Sequence, residues 1–151
     1  MKRKALIILW ICLIPIIANA QKQIDGIYYE IVENNCPYKK VRLTNTRLRV
    51  CILDEPLISM GGISSVSEPI IERRKRLRTM TIKLSPEASD QLTRITKNLL
   101  GKNLVFVLDR KAVSLMKING TITNGEIKLV EDIEYSNLVT IRKRIEEITG
   151  L

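Results

Sequence analysis

Histidine is absent from this 151-residue chain, and with it goes the commonest catalytic base. No Ser-His-Asp or Cys-His arrangement can be built, and no histidine-ligated metal site. A zinc ion would have to rest on cysteines and carboxylates, a poor ligand set when only Cys36 and Cys51 lie outside the N-terminal apolar run. There is no G-x-S-x-G elbow and no P-loop; Gly61-Gly62 alone is a turn signal, not a phosphate cradle. Internal repeats and low-complexity segments are also missing. Glu131, Asp132 and Glu134 form an acidic patch before a helix start, where adjacent carboxylates are usually solvated rather than paired for catalysis or calcium. The chain is therefore expected to be no enzyme, with no catalytic residue, no metal and no cofactor.

A membrane-spanning run is lacking too. The longest apolar stretch, Ala5 to Ile17, falls short of the roughly 20 residues needed to cross a bilayer core, and Pro15 interrupts it. Lys2, Arg3 and Lys4 precede it and Ala18-Asn19-Ala20 follows, the layout of a secretory signal peptide over residues 1–20, cut after Ala20. Cys12 follows Trp10 and Ile11 rather than small residues, which argues against a lipid-modified start. Residues 21–151 are then long enough for a single domain with its own core.

Charge of one sign is in excess. The chain has 25 Lys and Arg against 16 Asp and Glu, a net +9, and stays basic without Lys2, Arg3 and Lys4. Such a balance suits nucleic acid inside a cell. An exported protein meets anionic lipid, lipopolysaccharide or acidic partners instead, so the expected partners are protein and an anionic envelope surface, not nucleic acid. Cys36 and Cys51 are an even pair in a compartment that permits oxidation, and they are expected to bond; two buried free thiols are the alternative. A closed loop of about 15 residues contributes on the order of 3 kcal/mol in the chain-entropy account.

The period-2 segments read as strands. Ile27 to Glu33 is rich in β-branched and aromatic residues, and Arg47 to Leu53 places Leu48, Val50 and Ile52 on one side. Together, residues 27–53 read as an N-terminal strand pair. Pro56 and Gly61-Gly62 mark Leu57 to Ser67 as loop with at most one short helical turn. Ile70 to Leu84 reads as two strands joined by a basic tip, or as one long bent strand. The tip, Arg73, Arg74, Lys75, Arg76 and Arg78, is the most distinctive exposed feature and the candidate partner-binding surface.

Ser85, Pro86 and Glu87 give a capped helix start, Ala88, Leu92, Ile95 and Leu99 an apolar stripe, and Gly101 a left-handed stop. Leu104 to Leu108 reads as a central strand, Ala112 to Ile118 as its return partner. Asn119-Gly120 and Asn124-Gly125 bracket a further short strand, and Glu126 to Val130 is another, with Ile127 and Leu129 inward. Ser136 opens a last helix with Leu138, Ile141, Ile145 and Ile148 as its stripe and Gly150 as its stop. The expected fold class is α+β: two layers, a mostly antiparallel sheet with two amphipathic helices on one face.

Over residues 54–151 these elements resemble one known module, the head of the first periplasmic domain of SecD, the protein-export accessory. The matching positions are Ser85, Thr96, Gly101-Lys102, Leu108-Asp109, Val113-Ser114, Ile122 with Gly125, Ile127 and Ser136. Two positions depart: Arg110 stands where the family has glycine after Leu-Asp, and Leu115-Met116 replaces its Ala-Pro. The resemblance implies a free-standing head module in the periplasm, without the membrane-spanning motor, which contacts exporting polypeptides as an accessory. That role needs a sheet edge or apolar groove for extended chain. A dedicated inhibitor or immunity-type protein, binding one folded envelope partner, is the alternative.

Overall fold

The computed structural model describes residues 25–32, 35–132 and 137–151, with the Asp132 side chain excepted. The expected signal peptide, Glu134 and the Ser136 helix start lie outside them. The strands are β1 (Gly26–Tyr29), β2 (Lys39–Leu43), β3 (Arg49–Ile52), β4 (Ile58–Ser59), β5 (Ile63–Val66), β6 (Ile70–Glu72), β7 (Leu77–Leu84), β8 (Asn103–Leu108), β9 (Lys111–Lys117) and β10 (Glu126–Asp132). Helix α1 (Pro86–Asn98) follows β7, and α2 (Leu138–Thr149) ends the chain. The class is α+β, and all but one of the strand pairings are antiparallel; β2 and β9 run parallel.

The strands divide into two sheets, where the sequence led to one. The first has the order β3-β2-β9-β8-β1-β4; in the second, β7 lies between β10 on one side and β5 and β6 in turn on the other. Nor do residues 27–53 stand apart as a strand pair. β1 lies between β8 and β4, and the chain meets β3 just past the end of β1, at a Glu30–Ile52 bridge, while β3 pairs with β2, a strand the sequence reading missed. That bridge, with the Ile31 N–H donating to the Cys51 carbonyl at 2.9 Å, closes β1, β8, β9, β2 and β3 into a small barrel. Tyr28, Val41, Val50, Ile52, Val105, Val107 and Ala112 fill it. Cys36 and Cys51 are bonded, their Cα atoms 5.9 Å apart.

Burial pushes the Tyr28 hydroxyl from 10.0 up to about 12, with the charges of Asp25 and Asp54 adding to it. Ionising this phenol opposes folding. The stability it lends is therefore complete below pH 10 and drains away as pH rises toward about 12. Tyr28→Phe should flatten the alkaline limb of a melting-temperature profile, whereas an unchanged limb would place the transition on another group.

A second core lies between the two sheets and the helices. Ile27, Ile58, Leu104, Phe106 and Leu108 come from the first sheet, Met80, Ile82, Leu84, Ile127 and Leu129 from the second. Ala88 and Leu92 of α1 and Leu138, Ile141 and Ile145 of α2 complete it. The Ser85 hydroxyl accepts from the Ala88 N–H at 3.3 Å, as a cap should. Leu57 to Ser67, expected as loop, forms β4, one 3-10 turn (Met60–Gly62) and β5. Ile58, Met60 and Ile63 all turn inward there. Gly62 is a close-packing position, since a Cβ on it would sit 2.9 Å from both Ala88 and Ile58 side chains.

The short strand expected before Asn124-Gly125 does not form. Thr93 donates its hydroxyl to the Ile122 carbonyl at 2.9 Å, and the Ile122 N–H donates to Thr96 Oγ1 at 3.0 Å. Side chains of α1 thus satisfy the backbone that a strand partner would have satisfied. Between β8 and β9, Asp109 (φ 49°) and Arg110 (φ 64°) both adopt the left-handed region of a two-residue hairpin turn without any glycine. Arg144 of α2 holds the Asp109 carboxylate through three contacts of 3.0–3.1 Å.

Candidate polypeptide-contact surface

The β6–β7 hairpin carries the basic tip. Arg73–Lys75 form a single 3-10 turn, and Arg76 takes the left-handed conformation, φ 56°, that returns the chain into β7. Arg73, Arg74, Lys75 and Arg76 are all exposed at this turn. Arg78 is not with them: it sits within β7, half-buried, in register with Ile71 and Glu131 on the face that farther along carries Met80 and Ile82. Glu72 anchors the turn, with Lys75 at 2.9 Å and Lys128 of β10 at 3.5 Å. The Lys75 hydrogen bond and charge, with Lys128 behind them, hold the Glu72 carboxyl below the usual carboxylate range.

Next to the tip are apolar residues the sequence reading passed over. Ile70 and Ile71 are 62% and 43% exposed on β6, which among the described residues has a partner on one side only. Ile70 and Val130 flank Thr79 across β6, β7 and β10; Val130 is 45% exposed and Thr79 is buried between them. One signal was available. Two adjacent isoleucines on a strand point to opposite faces, so one core cannot cover both. A shallow depression beside Ile71 is lined by Glu72, Arg73, Arg74 and Lys75. The surface thus joins an edge strand, exposed aliphatic side chains and a cationic rim. Chemically it can extend a ladder, cover apolar side chains and attract carboxylates, and it places no nucleophile or proton-transfer pair.

The acidic patch has a structural use: the Glu131 carboxylate accepts from the Asn137 N–H at 2.7 Å, at the start of α2. Among the described residues, no group of His, Cys, Asp and Glu is placed to hold a metal, and no helix is long and apolar enough to cross a membrane.

No known family profile and no curated protein matches the sequence. Solved structures do. A SecDF structure, described as a membrane component that enhances protein export, is 18% identical with a TM-score of 0.52, over 79% of this chain and 59% of that one. This chain shares the fold of part of SecDF. A super-membrane-facing form of SecDF is 17% identical at a TM-score of 0.55, with 79% of this chain and 18% of that chain covered. SecDF from Thermus thermophilus, a translocon-associated membrane protein, is 18% identical at 0.50, with 82% and 19% covered. The chain therefore spans under two thirds of the first SecDF chain and about a fifth of the others. The SecD-like fold expected from Ser85, Gly101-Lys102 and Leu108-Asp109 is present, and at 79–82% of the chain the likeness is longer than residues 54–151. Arg110, the departure in the turn, is accommodated by its left-handed backbone.

Proposed function

We propose that this protein is a non-catalytic, export-associated accessory of the periplasm, a stand-alone SecD-like module that holds extended polypeptide at the β6 edge and the basic tip. The observation that carries this is the pair of exposed isoleucines on an edge strand that runs straight into four exposed cations. Natural proteins usually blunt such an edge with charge or cover it, because it templates strand addition. Here β6 is only three residues long, follows Pro69 and ends in Glu72, yet it still leaves Ile70 and Ile71 open beside the cations of the turn. An incoming strand would pair with β6 from Ile70 onward, since Pro69 offers no N–H. Main-chain bonds give affinity with little sequence preference, and Ile70 covers apolar side chains of the guest. The SecDF fold supports the reading, because the SecDF matched here enhances protein export.

A fluorescent, reduced and carboxymethylated polypeptide tests it by anisotropy. Ile70→Asp with Ile71→Asp should weaken binding by about tenfold or more, the loss expected for one desolvated aliphatic contact and a disturbed edge. Arg73→Glu with Arg74→Glu should mainly slow association and remove its salt dependence. Equal binding by all variants, or capture of one folded partner at stoichiometric amounts with no affinity for unfolded chain, would overturn the proposal.

A further inference from the structure

At the far end of the barrel a second cationic surface stands apart from the basic tip. The β2–β3 register sets Arg49 opposite Arg42, and the β2–β9 register sets Arg42 beside Lys111. Three exposed cations thus form a row across three strands, facing out of the barrel because the alternating Val41, Val50 and Ala112 are buried inside it. Like charges directly opposite one another on a sheet cost stability. Among the described residues, no ion pair involves Arg42, Arg49 or Lys111, although Glu30 lines a shallow depression together with Lys40 and Arg49. Arg42 Nε donates to the Thr46 carbonyl at 2.9 Å, which holds the guanidinium against the hairpin turn. Lys40, Arg47 and Arg110 are exposed around the row. Two further acids near Arg110 are engaged elsewhere: Asp25 accepts from the Arg110 backbone N–H at 3.3 Å, and Asp109 is held by Arg144.

The hairpin end adds an apolar element. Leu48, between Arg47 and Arg49, is 66% exposed. It shares the inward alternation of Val50 and Ile52 but lies past the rim, where there is no core to fill. We propose that this end of the β2–β3 hairpin docks on an anionic lipid bilayer, with Leu48 entering the interface and the Arg42, Arg49 and Lys111 row lying over the headgroup phosphates. An aliphatic side chain among unpaired cations matches a surface that is anionic outside and apolar within. A nucleic acid or a soluble acidic peptide would engage the row and leave Leu48 in water. None of these residues belongs to the polypeptide-contact surface at β6 and the basic tip.

Flotation with two vesicle types tests it: equal parts phosphatidylcholine and phosphatidylglycerol, and phosphatidylcholine alone. The protein should float with the first only, and less so as salt rises. Each cation near an anionic surface is worth on the order of fivefold in partitioning, so neutralising three would cost about 100-fold, and the charge-reversed triple variant R42E/R49E/K111E should lose at least that. L48S should lose a smaller factor and keep the salt dependence. R42E alone puts a carboxylate between Arg49 and Lys111; it should melt no lower than wild type yet bind vesicles several-fold more weakly, which separates lipid contact from folding. The proposal fails if the triple variant floats like wild type, or if flotation is lost only when Arg73, Arg74 and Lys75 are reversed. Binding of unfolded polypeptide by R42E should be unchanged, so this inference and the polypeptide proposal stand or fall separately.

Discussion

Replacing Phe106 with alanine is expected to lower the unfolding free energy by about 3–5 kcal/mol, the cost of deleting a buried aromatic ring. Phe106 is the only phenylalanine in the chain and is fully buried. On β8 it lies opposite Ile27 of β1 and Ser114 of β9, and its side chain belongs to the core that both sheets and both helices share. Elements anchored on opposite sides of the ring cannot easily collapse into the void, because each is fixed by its own ladder. A domain of this size has roughly 5–15 kcal/mol in hand, so the variant should be partly unfolded at modest denaturant. Urea titration should show a lower midpoint with an unchanged slope. A loss under about 1 kcal/mol would mean that the sheets are not joined through Phe106.

Reducing the Cys36–Cys51 bond is expected to cost about 3 kcal/mol. The bond spans 15 residues and ties the segment ahead of β2 to the outer strand of the barrel. On that side β3 is otherwise held by the isolated Glu30–Ile52 bridge and the Ile31 N–H donating to the Cys51 carbonyl. Loss of the bond should loosen barrel closure first, at β3. Melting with and without reductant measures the effect, and the Cys36→Ser/Cys51→Ser variant should melt low in both conditions. If wild type melts at one temperature in both, the bond contributes nothing to the folded barrel.

Local chemistry was legible in the sequence; long-range pairing was not. The α1 start at Ser85, the buried run of β8, the Ile127 and Leu129 alternation and the Gly150 stop could be read because each depends on neighbours in sequence. The partner of β1 could not, because β8 is far along the chain and nothing in Gly26–Tyr29 specifies it. Nor could the split into two sheets, which depends on β7 pairing with β10, β6 and β5 rather than with β8. Thr96 escaped the helical stripe because a threonine reads as polar; it is fully buried and spends its hydroxyl on Leu92 and the Ile122 backbone. Gly61-Gly62 read as punctuation although Gly62 serves contact with α1.

The candidate surface was half legible. Arg73 to Arg76 gather at the turn as a charge run in a hairpin would, while Arg78 faces elsewhere because strand alternation turns it toward Glu131. The exposure of Ile70, Ile71 and Val130 emerges only once β6 is an edge and Val130 is aligned with Thr79.

Backbone-amide NMR of the protein titrated with an unfolded polypeptide tests the central claim most directly. Strand addition at β6 predicts large shifts at Ile70, Ile71 and Glu72, with slowed hydrogen exchange at whichever of these amides point away from β7, and smaller shifts at Arg73 to Arg76. Saturable binding that perturbs only the barrel strands or α1, and leaves the Ile70–Glu72 amides unmoved, would contradict it.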